Sequence, residues 1–476
     1  MVNNQEEVIM AEGHIGYLEE RKLVKRWNGP LPALVNLVFT LALFAVTWWI
    51  FQDPRGIMRF YTPYLGYNYC RWLLIILIWV AYIFDFWPFK REWLRTAHPL
   101  KKGIILSLVT VGIMILVIDG FFEGFLGNLA LPYFNPEQLL KLPGLTEFYA
   151  VEYASQGCMM FAVIASWISP AWVVALEGEP WSSSPQPVRG ATILLATFFL
   201  STIIYLTTMH NHMGILYYPW QYFTAICPPY WSEFAQTVSA NFHVAWIMCC
   251  TVVVWFMEGI WERYPFILIR RPWPRRLAIF FGIIVISLAL CFFFWFMQEL
   301  LWGEAIRGHR RDAAPDWRWL HVGETAIFFL VPALFIQFYC GNWPTKWSTP
   351  VNALVRTVLV AIFGIIITCL YYMYAHNFLG TQKGFSHPQQ FPMIPMIWLI
   401  NIWLVNHWFM DNWPGWRMEM RTKEEIQAVE QEVIVKSAWS PAMKPGLVFG
   451  VIAGICFYFL IVVLLPVASR TFTLVK

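Results

Sequence analysis

Long apolar runs separated by short polar stretches dominate the chain. Eleven runs approach the roughly 20 residues that a helix needs to cross the hydrocarbon of a bilayer. They occupy residues 33–51, 64–86, 103–118, 156–176, 191–209, 235–257, 277–296, 326–339, 353–374, 394–409 and 446–467. The pattern predicts an all-α, polytopic transmembrane bundle of about eleven helices. The third and eighth runs are short, so the helices there are expected to be longer, tilted or broken.

The polar stretches give the bundle an orientation. Residues 1–28 are polar and mixed in charge, with Arg21, Lys22, Lys25 and Arg26 just before the first apolar run. They read as a cytoplasmic extension rather than a secretory signal. One set of loops carries Lys90, Arg91, Arg95, Lys101, Lys102, Arg189, Arg263, Arg270, Arg271, Arg275, Arg276, Lys346, Arg356, Arg417, Arg421, Lys423, Lys436 and Lys444. The basic excess assigns that side to the cytoplasm. The N-terminus is then inside, and the tail 471–476 outside. The opposite loops, 120–149, 213–233, 300–322 and 377–393, are longer and rich in Tyr and Trp, as interfacial segments are. They still hold Arg55, Arg59 and the cluster Arg307, Arg310, Arg311 and Arg318. Residues 421–436 carry Ile426, Val429 and Val433 on one stripe and predict an amphipathic cytoplasmic helix.

An internal recurrence accompanies the even-numbered runs. Each ends in an aromatic residue or Leu, then an acid or Cys, with Trp and Pro close behind: Phe84-Asp85-Phe86-Trp87-Pro88; Leu176-Glu177, then Pro180-Trp181; Phe256-Met257-Glu258, then Trp261 and Pro265; Tyr339-Cys340, then Trp343-Pro344; and Phe409-Met410-Asp411, then Trp413-Pro414. Trp181-Ser182, Tyr205 and His210-Asn211 recur at one offset as Trp347-Ser348, Tyr371 and His376-Asn377. The expectation is five hairpin repeats and a final helix across residues 29–470. An acid at a helix C-terminus opposes the macrodipole, so Asp85, Glu177, Glu258 and Asp411 are expected to pair with the basic loops beside them. The functional alternative is a ring of acids at a pore mouth.

Composition agrees with lipid as the solvent: 58% of the 476 residues are hydrophobic and 13% charged. The nine cysteines show no CxxC spacing, and most lie in apolar runs, where they act as small hydrophobes. Most of the 28 tryptophans mark helix ends, where interfacial anchoring accounts for them. No phosphate loop or HExxH is present, and nothing points to nucleic acid or nucleotide.

Candidate chemistry collects toward the outer face, where ionisable groups near hydrocarbon are costly. His210, His212, His376 and His321, with Met209 and Met213, form a set of possible metal ligands. Asp119, Glu123, Glu299, Glu304 and Glu324 stand at similar depth as supporting acceptors or proton relays. His243 and His407 lie inside runs, each a possible axial ligand, at depths too different to share one haem. Three functions follow. The first is a metal- or redox-cofactor protein, holding copper or haem, or the membrane subunit of such a complex. The second is a secondary transporter or channel for a small solute or ion. The third is a non-catalytic scaffold associating with other membrane subunits or with itself. The expected location is a bacterial inner membrane.

Overall fold

The computed structural model describes residues 16–129, 134–212, 215–217, 240–307, 317–380 and 392–428, without 423 and 427; side chains of 210–217, 240 and 298–318 are not among those described. The expected eleventh run, most of the 421–436 helix and Met213 lie outside these residues. Among the described residues, nine helices are long and apolar enough to cross a membrane, and a tenth, Met393–Phe409, is shorter. They are α1 (Leu31–Gln52), α2 (Leu65–Ile83), α3 (Pro99–Leu129), α4 (Glu147–Val174), α5 (Val188–Thr208), α6 (Asn241–Ile260), α7 (Pro272–Arg307), α8 (Trp317–Tyr339), α9 (Thr349–Leu379) and α10 (Met393–Phe409). The architecture is that of an integral membrane protein.

Several helices run past the ends expected for them. α3 continues past the end of the 103–118 run through Asp119 and Glu123 into the expected 120–149 loop, and α7 and α8 reach far into the 300–322 stretch. Polar residues within a turn of the interface interrupt hydropathy without interrupting backbone hydrogen bonding, so the apolar runs understate the helices.

The helices form two concentric layers. α2, α4, α6, α8 and α10 pack on one another in that order, and α10 closes on α2. These five inner helices are buried around most of their circumference. The five odd-numbered helices lie outside and bury only a narrow stripe. On α1 the stripe includes Asn36, Thr40 and Trp48; on α3, Lys102, Leu106, Thr110 and Met114; on α9, Arg356, Val360, Gly364 and Thr368. Spacing by four drifts slowly around a helix of 3.6 residues per turn, so each outer helix crosses the ring at an angle. Each lies against the inner helix before it in the chain and the inner helix one further back, by packing or, for α7 and α4, by ion pairs; α1 takes the corresponding place beside α10 and α8. The remaining outer surface is apolar, with Val38, Leu108, Leu195, Phe281 and Leu354 all exposed. A continuous apolar surface of this extent is disfavoured in water and favoured in lipid.

Every inner helix ends in the same backbone figure. One N–H reaches five residues back: Phe84 to Trp79, Leu176 to Ala171, Trp261 to Phe256, Cys340 to Phe335 and Met410 to Val405. Another reaches six back: Phe86 to Val80, Gly178 to Trp172, Arg263 to Met257, Asn342 to Ile336 and Asn412 to Asn406. These bonds satisfy carbonyls that a helix C-terminus leaves open. Two left-handed residues follow, Asp85-Phe86, Glu177-Gly178, Glu262-Arg263, Gly341-Asn342 and Asp411-Asn412, and then a cis proline at 88, 180, 265, 344 and 414. The third figure corrects the register read from sequence. Glu262, not Glu258, stands where Asp85 and Asp411 stand, and Tyr264 takes the position of Trp.

The five figures are tied together at one end of the bundle. Asn412 Nδ2 donates to Phe338 O, Arg356 bridges Ile260 O, Glu262 and Pro344 O, Arg263 reaches Glu177, and Gln186 Nε2 donates to Ile83 O. Trp87, Trp181, Trp261, Trp343 and Trp413 therefore share that end. The N-terminal segment closes this collar. A helical turn at Tyr17–Glu20 leads into β1 (Arg21–Lys25), which pairs antiparallel with β4 (Trp416–Met420). At the far end of the bundle, β2 (His210–His212) and β3 (Ile215–Tyr217) form a small hairpin.

Candidate functional site

The collar acids are all paired. Asp85 accepts the Tyr17 N–H at 2.8 Å and binds Arg91. Glu258 meets Arg263 at 3.1 Å. Asp411 holds Arg21 at 3.0 Å and Lys102 at 2.5 Å, with all three side chains nearly inaccessible. Glu177 faces Arg263, Arg275 and Arg276 at 3.3, 3.2 and 2.8 Å. Outer and inner helices are thereby riveted to each other at this end.

Glu177 gives the collar a pH dependence. Burial of its carboxyl favours the neutral form, but the three guanidiniums outweigh this and hold it below the usual carboxylate range. A folded-state value below the unfolded one contributes stability above the unfolded pKa of about 4.3 and loses it as pH falls through the folded value. E177Q is therefore expected to melt earlier than wild type at neutral pH and to approach it only as pH falls below the usual carboxylate range and through the lowered folded-state value. Thermal midpoints in detergent across this range test the point; parallel curves would contradict it.

The predicted outer ligands are distributed over the end opposite the collar. Met209 closes α5 and is fully buried, and His210 and His212 follow in β2, which packs on α4 and α5. His376 is on the last turns of α9, whose end meets α1 through Trp48 Nε1 donating to Leu379 O. Its Nδ1 is buried and has no hydrogen-bond partner among the described residues. His321 Nδ1 lies 2.7 Å from Glu324 Oε2 near the start of α8. Asp119 is exposed on α3 and Glu123 half-buried one turn on. Glu299 and Glu304 belong to α7, their side chains outside those described. His243 contacts Phe242 and Trp246 at the opening of α6. His407 stacks on Phe338 at 4.1 Å in the last turn of α10 and meets Asn412 at 3.0 Å. The two histidines thus sit toward opposite ends of the ring. Among the described residues, no three His, Cys, Asp or Glu side chains gather to hold a metal ion.

The most distinctive chemistry is inside the ring, at residues the apolar pattern had hidden. A small cavity, with room for about one water molecule, is lined by Arg71 and Leu74 of α2, Met248, Thr251 and Val252 of α6, Gly323, Ile327 and Leu330 of α8, and Ile400 of α10. Arg71 is 2% exposed. Its Nε donates to Tyr67 Oη at 2.8 Å, Nη1 to Ser166 Oγ of α4 at 3.2 Å, and Nη2 to Met248 Sδ at 3.1 Å. Ser166 Oγ is 3.2 Å from Thr251 Oγ1. A small polar patch thus joins three inner helices, α2, α4 and α6, at a cavity that is otherwise apolar. The available signal in the sequence was an arginine within the second apolar run, where charge is expensive and functional by default. No protein-family model, no curated protein and no solved structure matches the chain.

Proposed function

We propose that the chain is a membrane transporter or channel that passes a small solute or ion through its inner ring. The supporting observation is the closed circle of five parallel inner helices, which buries Arg71, Ser166 and Thr251 beside a small space between α2, α6, α8 and α10 with room for about one water. An outer layer of five helices supplies the lipid-facing surface. The ring is thereby free to bury polar groups that lipid would reject. Our reading retains eleven spans, a hairpin repeated five times, and the collar at the cytoplasmic end, because its loops carry the excess of basic residues. Bacterial inner membrane is the location we assign. Among the described residues no metal cluster supports the copper or haem reading, and we rank it and the scaffold reading below transport.

Purified protein in liposomes tests this directly. Flux of small anions, cations and neutral solutes is compared with that in empty vesicles. Leu330, fully buried at the cavity wall, is the obstacle to remove. L330A is expected to raise flux by about tenfold if the apolar wall is the barrier, since a lowering of only about 1.4 kcal/mol suffices. Flux equal to that of empty vesicles for every solute, in both proteins, would overturn the proposal.

A further inference from the structure

We infer that the start of α7 is a binding site for an anionic phospholipid, with the headgroup phosphate on Arg270 and Arg271 and an acyl chain along the apolar track that begins at Trp273. Lipid binding here is independent of the transport reading, and the orientation proposed above decides only that the leaflet is the cytoplasmic one.

Where α4, α6 and α7 meet at the collar, three guanidiniums face three carboxylates. Arg263 binds Glu177 and Glu258, Arg275 binds Glu177, and Arg276 binds Glu177 and Glu179. That network is balanced. Arg270 and Arg271, which lead directly into α7, add two further charges beside it. Both are exposed, and among the described residues neither has an ion pair. Water solvates an exposed guanidinium well, so charge alone does not mark these two residues. Their position does. The segment before them is anchored: the ring of Phe266 packs on Gly282 of α7, where an added Cβ would stand 2.4 Å from Cζ. Ile269 N donates to Phe266 O at 2.9 Å, and Arg275 N donates to Arg271 O at 3.1 Å in the first turn. The chain thus lies back against α7 before turning into it, and the two arginines are held at the polar tip of the helix.

An apolar track runs from that tip into the hydrocarbon. Trp273, Leu277, Phe281 and Val285 are each about half exposed and recur at every fourth residue on one face. At 1.5 Å per residue the track extends about 18 Å, comparable with the depth of one leaflet. Arg276 Cζ lies 5.5 Å from the centre of the Trp273 ring and steadies the indole at the head of the track. Two adjacent cations above an apolar track are the complement of an anionic phospholipid. The guanidinium forks match phosphate oxygens, and the chain follows the side chains below. A zwitterionic headgroup brings a cation of its own, which the arginines repel. The other outer helices present the same kind of track under a single exposed cation: Lys101 before Ile104 and Leu108 on α3, and Lys346 before Val351 and Leu354 on α9. The arginine pair therefore sets α7 apart.

Full-length protein in a neutral detergent is titrated with phosphatidylglycerol, with phosphatidylcholine of the same acyl chains, and with glycerol phosphate. Thermal midpoint and lipid bound per chain, counted by native mass spectrometry, are the readouts. Wild type is expected to bind phosphatidylglycerol saturably, to gain more stability from it than from phosphatidylcholine, and to ignore glycerol phosphate at the same concentration. R270Q/R271Q is expected to weaken phosphatidylglycerol binding about fivefold for each arginine removed and to leave phosphatidylcholine binding unchanged. K101Q/K346Q removes the same charge from two other exposed positions and is expected to keep the preference. R271E covers the case in which the double variant fails to fold, and its preference for the anionic lipid should vanish. Equal response of wild type to the two lipids, an undiminished preference in folded R270Q/R271Q or R271E, an equal loss in K101Q/K346Q, or a matching response to glycerol phosphate would overturn the site. Selective lipid binding without flux of any solute removes transport and keeps the site. Flux with no lipid preference keeps transport and removes the site.

Discussion

Replacing Asp411 with asparagine is expected to destabilise the protein by about 3–5 kcal/mol, the cost of leaving buried charge without its partner. Asp411 is one carboxylate serving two cations. Arg21 Nη1 reaches Oδ1 at 3.0 Å, and Lys102 Nζ reaches Oδ2 at 2.5 Å. Lys102 is completely inaccessible, and its other bonds go to Tyr17 Oη and Leu94 O. The cluster already carries one net positive charge. Losing the carboxylate leaves two, and asparagine offers a single neutral acceptor. Removing the lysine instead, in K102M, leaves the Arg21–Asp411 pair neutral and is expected to cost less. The double substitution K102M/D411N should recover part of the loss, a coupling that a double-mutant cycle reads directly. A second readout is proteolysis. Arg21 anchors β1 to the collar, so D411N should expose trypsin sites at Arg21, Lys22 and Lys25 that wild type protects. Unchanged melting and unchanged cleavage would show that water reaches this cluster in solution.

How far such features can be read from sequence depends on the physical range of the signal. Apolar runs located the nine described helices long enough to cross a membrane, and the shorter Met393–Phe409 as well, because lipid imposes length and hydropathy on each span separately. The division into two layers was equally present. The outer helices α1, α3, α5, α7 and α9 are each more apolar along their best stretch than α2, α4, α6 or α8. Lipid-facing helices must be apolar outward, whereas helices enclosed by protein are free to keep Asn68, Ser166 and Thr251. Ranking the runs against each other, rather than testing each against a threshold, would have exposed the ring.

The failures have the opposite character. β1 and β4 are nearly 400 residues apart in sequence, and a two-stranded patch of five residues has no local pattern that names its partner. The collar figure was legible where Asp or Asn stood before Trp-Pro, as at Asp411-Asn412-Trp413-Pro414. Where Tyr264 replaces Trp, the nearest tryptophan, Trp261, points to Glu258 one helical turn early, and the left-handed pair Glu262-Arg263 has no signature in sequence. Arg71 was passed over for a third reason. It lies within a run whose average stayed apolar, and averaging conceals the single charge that matters most. The outer histidines stand out because the predicted topology puts them on one face, but a shared face is not a shared site: His321 lies beside Glu324 at the start of α8, and His376 sits at the end of a different helix.

Arg356 carries the second large effect. It is 1% exposed and joins two collar figures through one side chain. Nη1 donates to Glu262 Oε1 at 2.7 Å and to Ile260 O at 3.3 Å, and Nη2 to Pro344 O at 2.7 Å. R356L fills much of the volume but leaves two main-chain carbonyls and a carboxylate without a donor. Glu262 is partly exposed and regains water, so the loss should fall below that at Asp411, at about 3 kcal/mol. R356K is the sharper test. Lysine preserves the charge and still reaches Glu262, but a single ammonium cannot reproduce a fork that spans the ends of α6 and α8. It is expected to recover less than half of the loss. Melting of R356L, R356K and E262Q in detergent separates charge from geometry. If R356K matches wild type, the ion pair alone holds the two ends; if E262Q is silent while both arginine variants melt early, the carbonyl bridge does.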